Sequence, residues 1–205
     1  MALRSKTKRP KMAYEVMDIF KMKIENGTYD VVVDKGTLDA VFPEDTAENT
    51  QKVHFLFEEI IRILKDNGVY LCISLLQEHI LTNVLNFFNA KKFDIDLYEV
   101  LIKGSKMFPF LLQIRRAKNP EANEITLHLR GKEPQKLKVA DCIRSIKEVQ
   151  TQNIFVQNSK KLRQGQRFSI DIWDQKSKLN VPKYTLHVVD STVAKTLEKV
   201  HFLSR

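Results

Sequence analysis

Tyr29-Asp30-Val31-Val32-Val33-Asp34-Lys35-Gly36-Thr37-Leu38-Asp39-Ala40-Val41 is the stretch whose reading decides the fold. The run from Tyr29 to Val33 has the continuous apolar character of a parallel strand covered on both faces. It stops at an acid, a glycine and a hydroxyl, which is where an open α/β sheet sets its ligand-facing groups, at the carboxyl end of a buried strand. Asp34 and Asp39 admit two roles at such a position. They serve chemistry, or they cap a helix start by accepting backbone N–H bonds.

The pattern on either side agrees with a sheet of this kind. Val53, Leu56, Phe57, Ile60, Ile61 and Leu64 recur at helical spacing, which predicts an amphipathic helix from about Thr46 to Asp66, with Gly68 ending it in the left-handed conformation. Val69 to Leu75 reads as a second buried strand, and Ile80, Leu81, Val84, Leu85 and Phe88 share one face of a second helix. Strand, helix, strand, helix is the order of a parallel α/β sheet. Ile95–Ile102 and Phe108–Ile114 then read as extended segments whose five-residue link is too short for a helical crossover, so the sheet closes with an antiparallel pair. Upstream, Met12 to Asp18 suits a short strand running into a loop.

Beyond Arg116 the signals change. Lys118 to Asn123 has linker composition, Cys142, Ile143, Ile146 and Val149 are in helical phase, and alternating strands around Phe168-Ile170-Ile172 and Tyr184-Leu186-Val188 form a hairpin across the polar link Asp174–Asn180. Thr192 to Arg205 has Val193, Leu197 and Val200 in phase for a further helix.

Composition bounds the rest. The 205 residues carry a net charge of +9, and 43% are hydrophobic, the balance of a chain that buries a core. No apolar run is long enough for a membrane-spanning helix and no signal peptide opens the chain, which reads as a cytoplasmic protein. Basic residues crowd at Arg4, Lys6, Lys8, Arg9 and Lys11 and again from Arg115 to Arg167. They lack the interleaved aromatics of a nucleic-acid surface, which favours a solvated basic face over nucleic-acid binding. Cys72 and Cys142 have neither CxxC spacing nor a histidine cluster nearby, so they read as reduced core thiols and no metal site is expected.

With those residues set out, a resemblance emerges. Asp34-Lys35-Gly36-Thr37-Leu38-Asp39-Ala40 resembles the fourth-strand motif of the class I, seven-strand S-adenosylmethionine-dependent methyltransferases that modify lysines or the N-terminus of translation elongation factor 1-alpha. Gly68 to Leu75 looks like the following strand, and Pro182 to Ser191 like the junction to a second methyltransferase-like domain.

The resemblance implies a partial Rossmann-like sheet, with parallel strands ending in an antiparallel pair, over residues 1–117. A linker and helix follow over 118–165, and a β-hairpin opening an incomplete second unit over 166–205. It implies S-adenosyl-L-methionine as cofactor, with Asp18 beside the adenine and Asp34 and Gly36 at the methionine end. Asp34 becomes the candidate catalytic residue, and Lys35, Thr37 and Asp39 the substrate entrance. The implied substrate is a lysine or N-terminal amine of elongation factor 1-alpha.

The sequence departs from that family at both ends: its 6 glycines include no Gly-x-Gly, the turn that cradles the cofactor with a helix N-terminus behind it, the second strand whose terminal acid holds the ribose is missing with it, and Thr192–Arg205 has no counterpart. The expectation is therefore an N-terminally incomplete methyltransferase with an open apolar sheet edge. The alternative reading is a non-catalytic interaction fragment of the same protein.

Overall fold

A computed structural model of the chain describes residues 12–102, 107–117, 125–159, 167–172 and 184–189. Two compact units are present, dividing between Arg144 and Ser145.

The first unit grows from the decisive stretch. β1 (Tyr29–Lys35) leads through a one-turn helix α1 (Thr37–Val41) to α2 (Ala47–Ile63), β2 (Leu64–Ser74) and α3 (Glu78–Ala90). β3 (Phe93–Glu99), β4 (Phe110–Arg116), β5 (Ile125–His128) and β6 (Gln135–Leu137) complete a six-stranded sheet of order β1-β2-β4-β3-β5-β6. β1 and β2 are parallel, β4 is antiparallel to both β2 and β3, β5 is parallel to β3, and β6 is antiparallel to β5. Four strands therefore run one way and two the other, in a Rossmann-like α/β arrangement.

Helix positions follow the apolar spacing. Thr46 caps α2, its hydroxyl accepting from Asn49 N–H at 3.2 Å, which satisfies one of the amides a helix start leaves free. Val53, Leu56, Phe57, Ile60 and Ile63 of α2 and Ile80, Leu81, Val84, Leu85 and Phe88 of α3 are buried. They share the core with Tyr70, Cys72, Ile95, Leu97, Phe110, Leu112 and Ile114 from the strands. Phe57, Tyr70 and Phe93 each meet the ring of Phe88, with centroids 4.9, 6.1 and 5.5 Å away.

Ahead of β1 the backbone is held by α2. Arg62 donates to the carbonyls of Ile24 at 2.6 Å and Met22 at 3.0 Å and to Asn26 Oδ1 at 2.9 Å, while Glu59 accepts from Met22 N–H at 2.9 Å. The strand expected over Met12–Asp18 is absent, since these residues have no regular secondary structure. Three apolar positions in that run are too few to specify a paired strand.

Other expectations are corrected in position. Gly68 does not end α2. The helix stops at Ile63, Leu64 turns into extended backbone, and Gly68 lies inside β2. A Cβ there would sit 2.9 Å from both a Leu64 methyl and the Lys65 carbonyl. This glycine is required by close approach rather than by handedness. Opposite it the ladder is irregular, pairing Tyr29 with Leu64 and then Val31 with Val69.

The antiparallel pair stops short of the expected turn on both sides: β3 ends at Glu99 rather than Ile102 and β4 begins at Phe110 rather than Phe108, with Val100 N–H bonding the Pro109 carbonyl at 3.1 Å. Nor is the pair the margin of the sheet. β5 and β6, four and three residues long, extend it within the stretch read as linker and helix, because strands so short carry almost no alternation to detect. β1, expected covered on both faces, is at the margin of the sheet instead, with Val31 49% and Val33 64% exposed.

In the second unit the remainder of α4 (Val139–Ser159) precedes an antiparallel hairpin of β7 (Arg167–Ile172) and β8 (Tyr184–Val189), as the alternation predicts. Ile170 pairs with Leu186 and Phe168 with Val188. The Lys118–Asn123 linker, Trp173, the Asp174–Asn180 link and the Thr192–Arg205 helix fall outside the described residues. Both cysteines are free and buried, and burial raises the Cys142 thiol to about 12.

Candidate functional site

The carboxyl ends of β1 and β2 meet at α1, and there the two acids of the decisive stretch are spent on holding the backbone. Asp34 is only 6% exposed. Its Oδ1 accepts from Thr37 N–H at 2.8 Å, and its Oδ2 accepts from Leu38 N–H at 3.2 Å and from the Tyr70 hydroxyl at 3.1 Å. A buried carboxylate is tolerable because all three donors point at it. It also stands at a helix start, where backbone N–H groups lack intrahelical partners.

Gly36 supplies the bend between strand and helix. Its φ of 76° is left-handed backbone, which glycine adopts without steric cost, and its N–H bonds the Ile73 carbonyl of β2 at 3.0 Å. Asp39, in the first turn of α1, reaches across to β2: Oδ1 accepts from Ser74 Oγ–H and from Leu75 N–H, both at 3.0 Å. Ser74 Oγ in turn accepts from Leu76 N–H at 2.9 Å, and Leu76 is a buried non-glycine with φ 49°. His79 at the start of α3 closes the far side, its Nε2 2.9 Å from the Phe42 carbonyl and its ring edge-on to Phe42.

The electrostatics match this burial. Desolvation first, and then the neighbouring Cys72 and Asp34, push the Tyr70 phenol well above its ordinary range. Tyr70 is thus a neutral donor to Asp34. Cys72 is raised by burial and by the Asp34 carboxylate, so it is no thiolate nucleophile.

Of the residues singled out in the sequence, Asp34, Lys35, Gly36, Thr37 and Asp39 come together at this junction, with Lys35 and Thr37 exposed. Asp18 is exposed beside a turn, its carboxylate accepting from Phe20 N–H at 2.9 Å. Among the described residues no hydrogen bond ties it to Asp34. Tyr70, Ser74 and Leu76 were not singled out. Tyr70 and Ser74 carry a signal, since with Cys72 they occupy the alternate positions of a strand read as buried and bring polar atoms to its hidden face. Leu76 carries none, because nothing in a leucine announces a positive φ. Among the described residues no group of three His, Cys, Asp or Glu side chains could hold a metal ion, and no helix is long and apolar enough to cross a membrane.

No protein-family model matches the chain. Curated relatives do. The human eEF1A lysine and N-terminal methyltransferase is 29% identical over 210 residues, covering 96% of this chain and 30% of that protein. The Xenopus laevis protein of the same name is 26% identical over 212 residues, covering 97% and 30%. A Drosophila melanogaster homologue of that methyltransferase is 44% identical over 79 residues, covering 38% of this chain and 12% of that one. Among solved structures, a type I restriction-modification methyltransferase subunit from Streptococcus thermophilus aligns with 82% of this chain and 35% of its own at 13% identity and a TM-score of 0.31, too slight a likeness to fix the fold. Along nearly its whole length the chain is similar to the eEF1A lysine and N-terminal methyltransferases of human and Xenopus laevis, and it spans about 30% of the length of those proteins.

Proposed function

We propose that this chain takes part in S-adenosyl-L-methionine-dependent methylation of a lysine or N-terminal amine of elongation factor 1-alpha in the cytoplasm, and that it supplies the substrate-facing side of the site. The observation that carries the reading is the junction at the end of β1. Asp34 and Asp39 fasten α1 to two strands, and Lys35 and Thr37 stand exposed between them. The name shared by the relatives supports the substrate.

Methyl transfer to an amine asks a protein mainly to align the nitrogen, keep water out and accept the loss of a proton. In this chain Asp34 is a positioning residue. Buried and holding three donors, it sets the start of α1, while Lys35 and Thr37 offer exposed groups to a polypeptide and Asp39 keeps α1 from swinging away from β2. On the same reading β7 and β8 open a second methyltransferase-like unit.

The residues present do not fit the cofactor by themselves. The Asp34 oxygens are engaged within the chain, the Asp18 carboxylate accepts from Phe20 N–H, and open space rather than a close approach surrounds the position a Cβ would take at Gly36. The sequence holds no Gly-x-Gly turn. No step of the transfer is therefore assigned to this chain's own cofactor contacts.

Calorimetric titration, after circular dichroism has established a folded chain, tests the reading. Elongation factor 1-alpha gives saturable heat and S-adenosyl-L-methionine gives none. Saturable cofactor binding would make the residues around Asp18 and Asp34 a sufficient site and the chain an enzyme in its own right. Absence of elongation factor binding would remove the proposed substrate.

A further inference from the structure

A cleft of about 830 Å³ lies between α2 and α3, a volume typical of ligand sites. Its walls all fall within residues 45–91, so whole elements frame it: both helices and the turn ahead of α2. One flank belongs to α3. Thr82, Asn83, Asn86 and Ala90 line it, at the three- and four-residue spacing that stacks side chains along one side of a helix. From Glu78 to Lys91 that flank runs about 20 Å, the reach of about six residues of extended chain.

The lining changes character along its length. At the helix starts stand Asp45 and Glu78, where His79 Nε2 also lies 2.9 Å from the Phe42 carbonyl. Asp45 is exposed, and among the described residues no hydrogen bond or ion pair engages its side chain. Further along, the Phe87 ring forms an aromatic wall with His54, their centroids 4.9 Å apart. Lys91 lies over the Phe87 ring, 5.2 Å from its centroid, and Glu58 offsets its charge at 2.7 Å. The cleft is therefore acidic in a chain of net charge +9, which favours a cationic occupant. Between the acids and the ring, Asn83 Oδ1 is buried without a hydrogen-bond partner, and a donor that reached it would offset that loss. Thr82 and Asn86 make no side-chain hydrogen bond among the described residues. A hydroxyl and two amides in a row can serve the N–H and C=O groups of a peptide whatever its sequence.

We propose that this cleft docks an extended basic segment of a partner polypeptide. A lysine or arginine sits at Asp45 and Glu78, the main chain runs along Thr82, Asn83 and Asn86, and an apolar side chain packs against Phe87. This inference does not rest on the methylation reading.

An N-acetylated, C-amidated hexapeptide that alternates lysine with leucine, titrated into the isotopically labelled full chain and followed by NMR, tests it. Saturable binding should move the side-chain amide signals of Asn83 and Asn86, and the same peptide with glutamate in place of lysine should not bind. Asp45→Lys sets a repulsive charge against the incoming cation and should weaken binding about ten-fold. Asp66→Lys, at a fully exposed acid outside the cleft, should leave the affinity unchanged. Absence of saturable binding overturns the proposal, as does binding that leaves both amides unmoved or that the two substitutions weaken equally. If Asp45→Lys fails to fold, Asn86→Trp takes its place, filling the cleft from an exposed position: lost binding supports the proposal and unchanged affinity overturns it.

Discussion

The Tyr70 hydroxyl donates to Asp34 Oδ2 at 3.1 Å across the pairing of β1 with β2, joining the side chain that caps α1 to the strand next door. Removing the donor leaves a buried acceptor with one partner fewer. Tyr70→Phe should therefore lose about 1–3 kcal/mol in urea denaturation, and Asp34→Ala, which orphans three donors, should lose more. A Tyr70→Phe chain as stable as the parent would show that the bond contributes nothing.

Two glycines separate two kinds of constraint. At Gly36 the position of a Cβ is open but φ is 76°, so Gly36→Ala should cost about 1–2 kcal/mol from backbone strain alone. Gly36→Asn should recover part of that, since asparagine enters this region more readily. At Gly68 the obstacle is the Lys65 carbonyl, and asparagine should be no better there than alanine. Thermal melts of the four variants distinguish the cases.

How much of this was legible beforehand follows the same division. The decisive stretch announced a strand, a turn and a helix start because apolar run, acid and glycine follow one another within eight residues, and the structure places β1, Gly36 and α1 accordingly. α2 and α3 were legible because their apolar spacing is sustained over 17 and 13 residues. Gly68 was misread because a glycine after a helical pattern looks alike whether it relieves φ or makes room for a neighbour. β5 and β6 went unseen because their strand character comes from pairing with β3 and with each other, which no local pattern records. In the site, the position of Asp34 was legible and its occupation was not, since the donors come from α1 and from a tyrosine 36 residues away.

Acid should loosen the anchor ahead of β1. Glu59 is held below the usual carboxylate range, chiefly by its hydrogen bond to Arg62. A carboxylate whose folded value is lowered stabilises the fold above its ordinary value near 4.5, and that contribution disappears as pH falls through the folded value. Unfolding free energy should drop below about pH 4.5, and Glu59→Gln should flatten that drop.

Alkali acts through the buried thiols. Cys142 is raised from 9.0 to about 12, so its contribution is complete below pH 9 and is lost progressively as pH rises toward 12. Cys72 moves in the same direction. Ellman's reagent should titrate neither thiol in the native chain at pH 8 and both together on unfolding. Rapid reaction of one thiol in the folded chain would contradict its burial.

Function and stability should come apart at α1. Lys35→Ala and Thr37→Val alter exposed side chains and should change stability by no more than about 0.5 kcal/mol while weakening elongation factor binding. Asp39→Ala frees α1 from Ser74 and Leu75 and should speed amide exchange at Thr37–Val41. Wild-type affinity in all three variants would move the substrate surface elsewhere.

Arg62 holds Met22, Ile24 and Asn26 through one guanidinium that is itself gripped by Glu59. Such an attachment is cooperative, because bonds sharing one donor group are made and broken together. The approach to β1 therefore has no graded fraying. It is docked along its length or released at once, and the cleavage of Lys21 and Lys23 by trypsin would report a single opening event rather than a series.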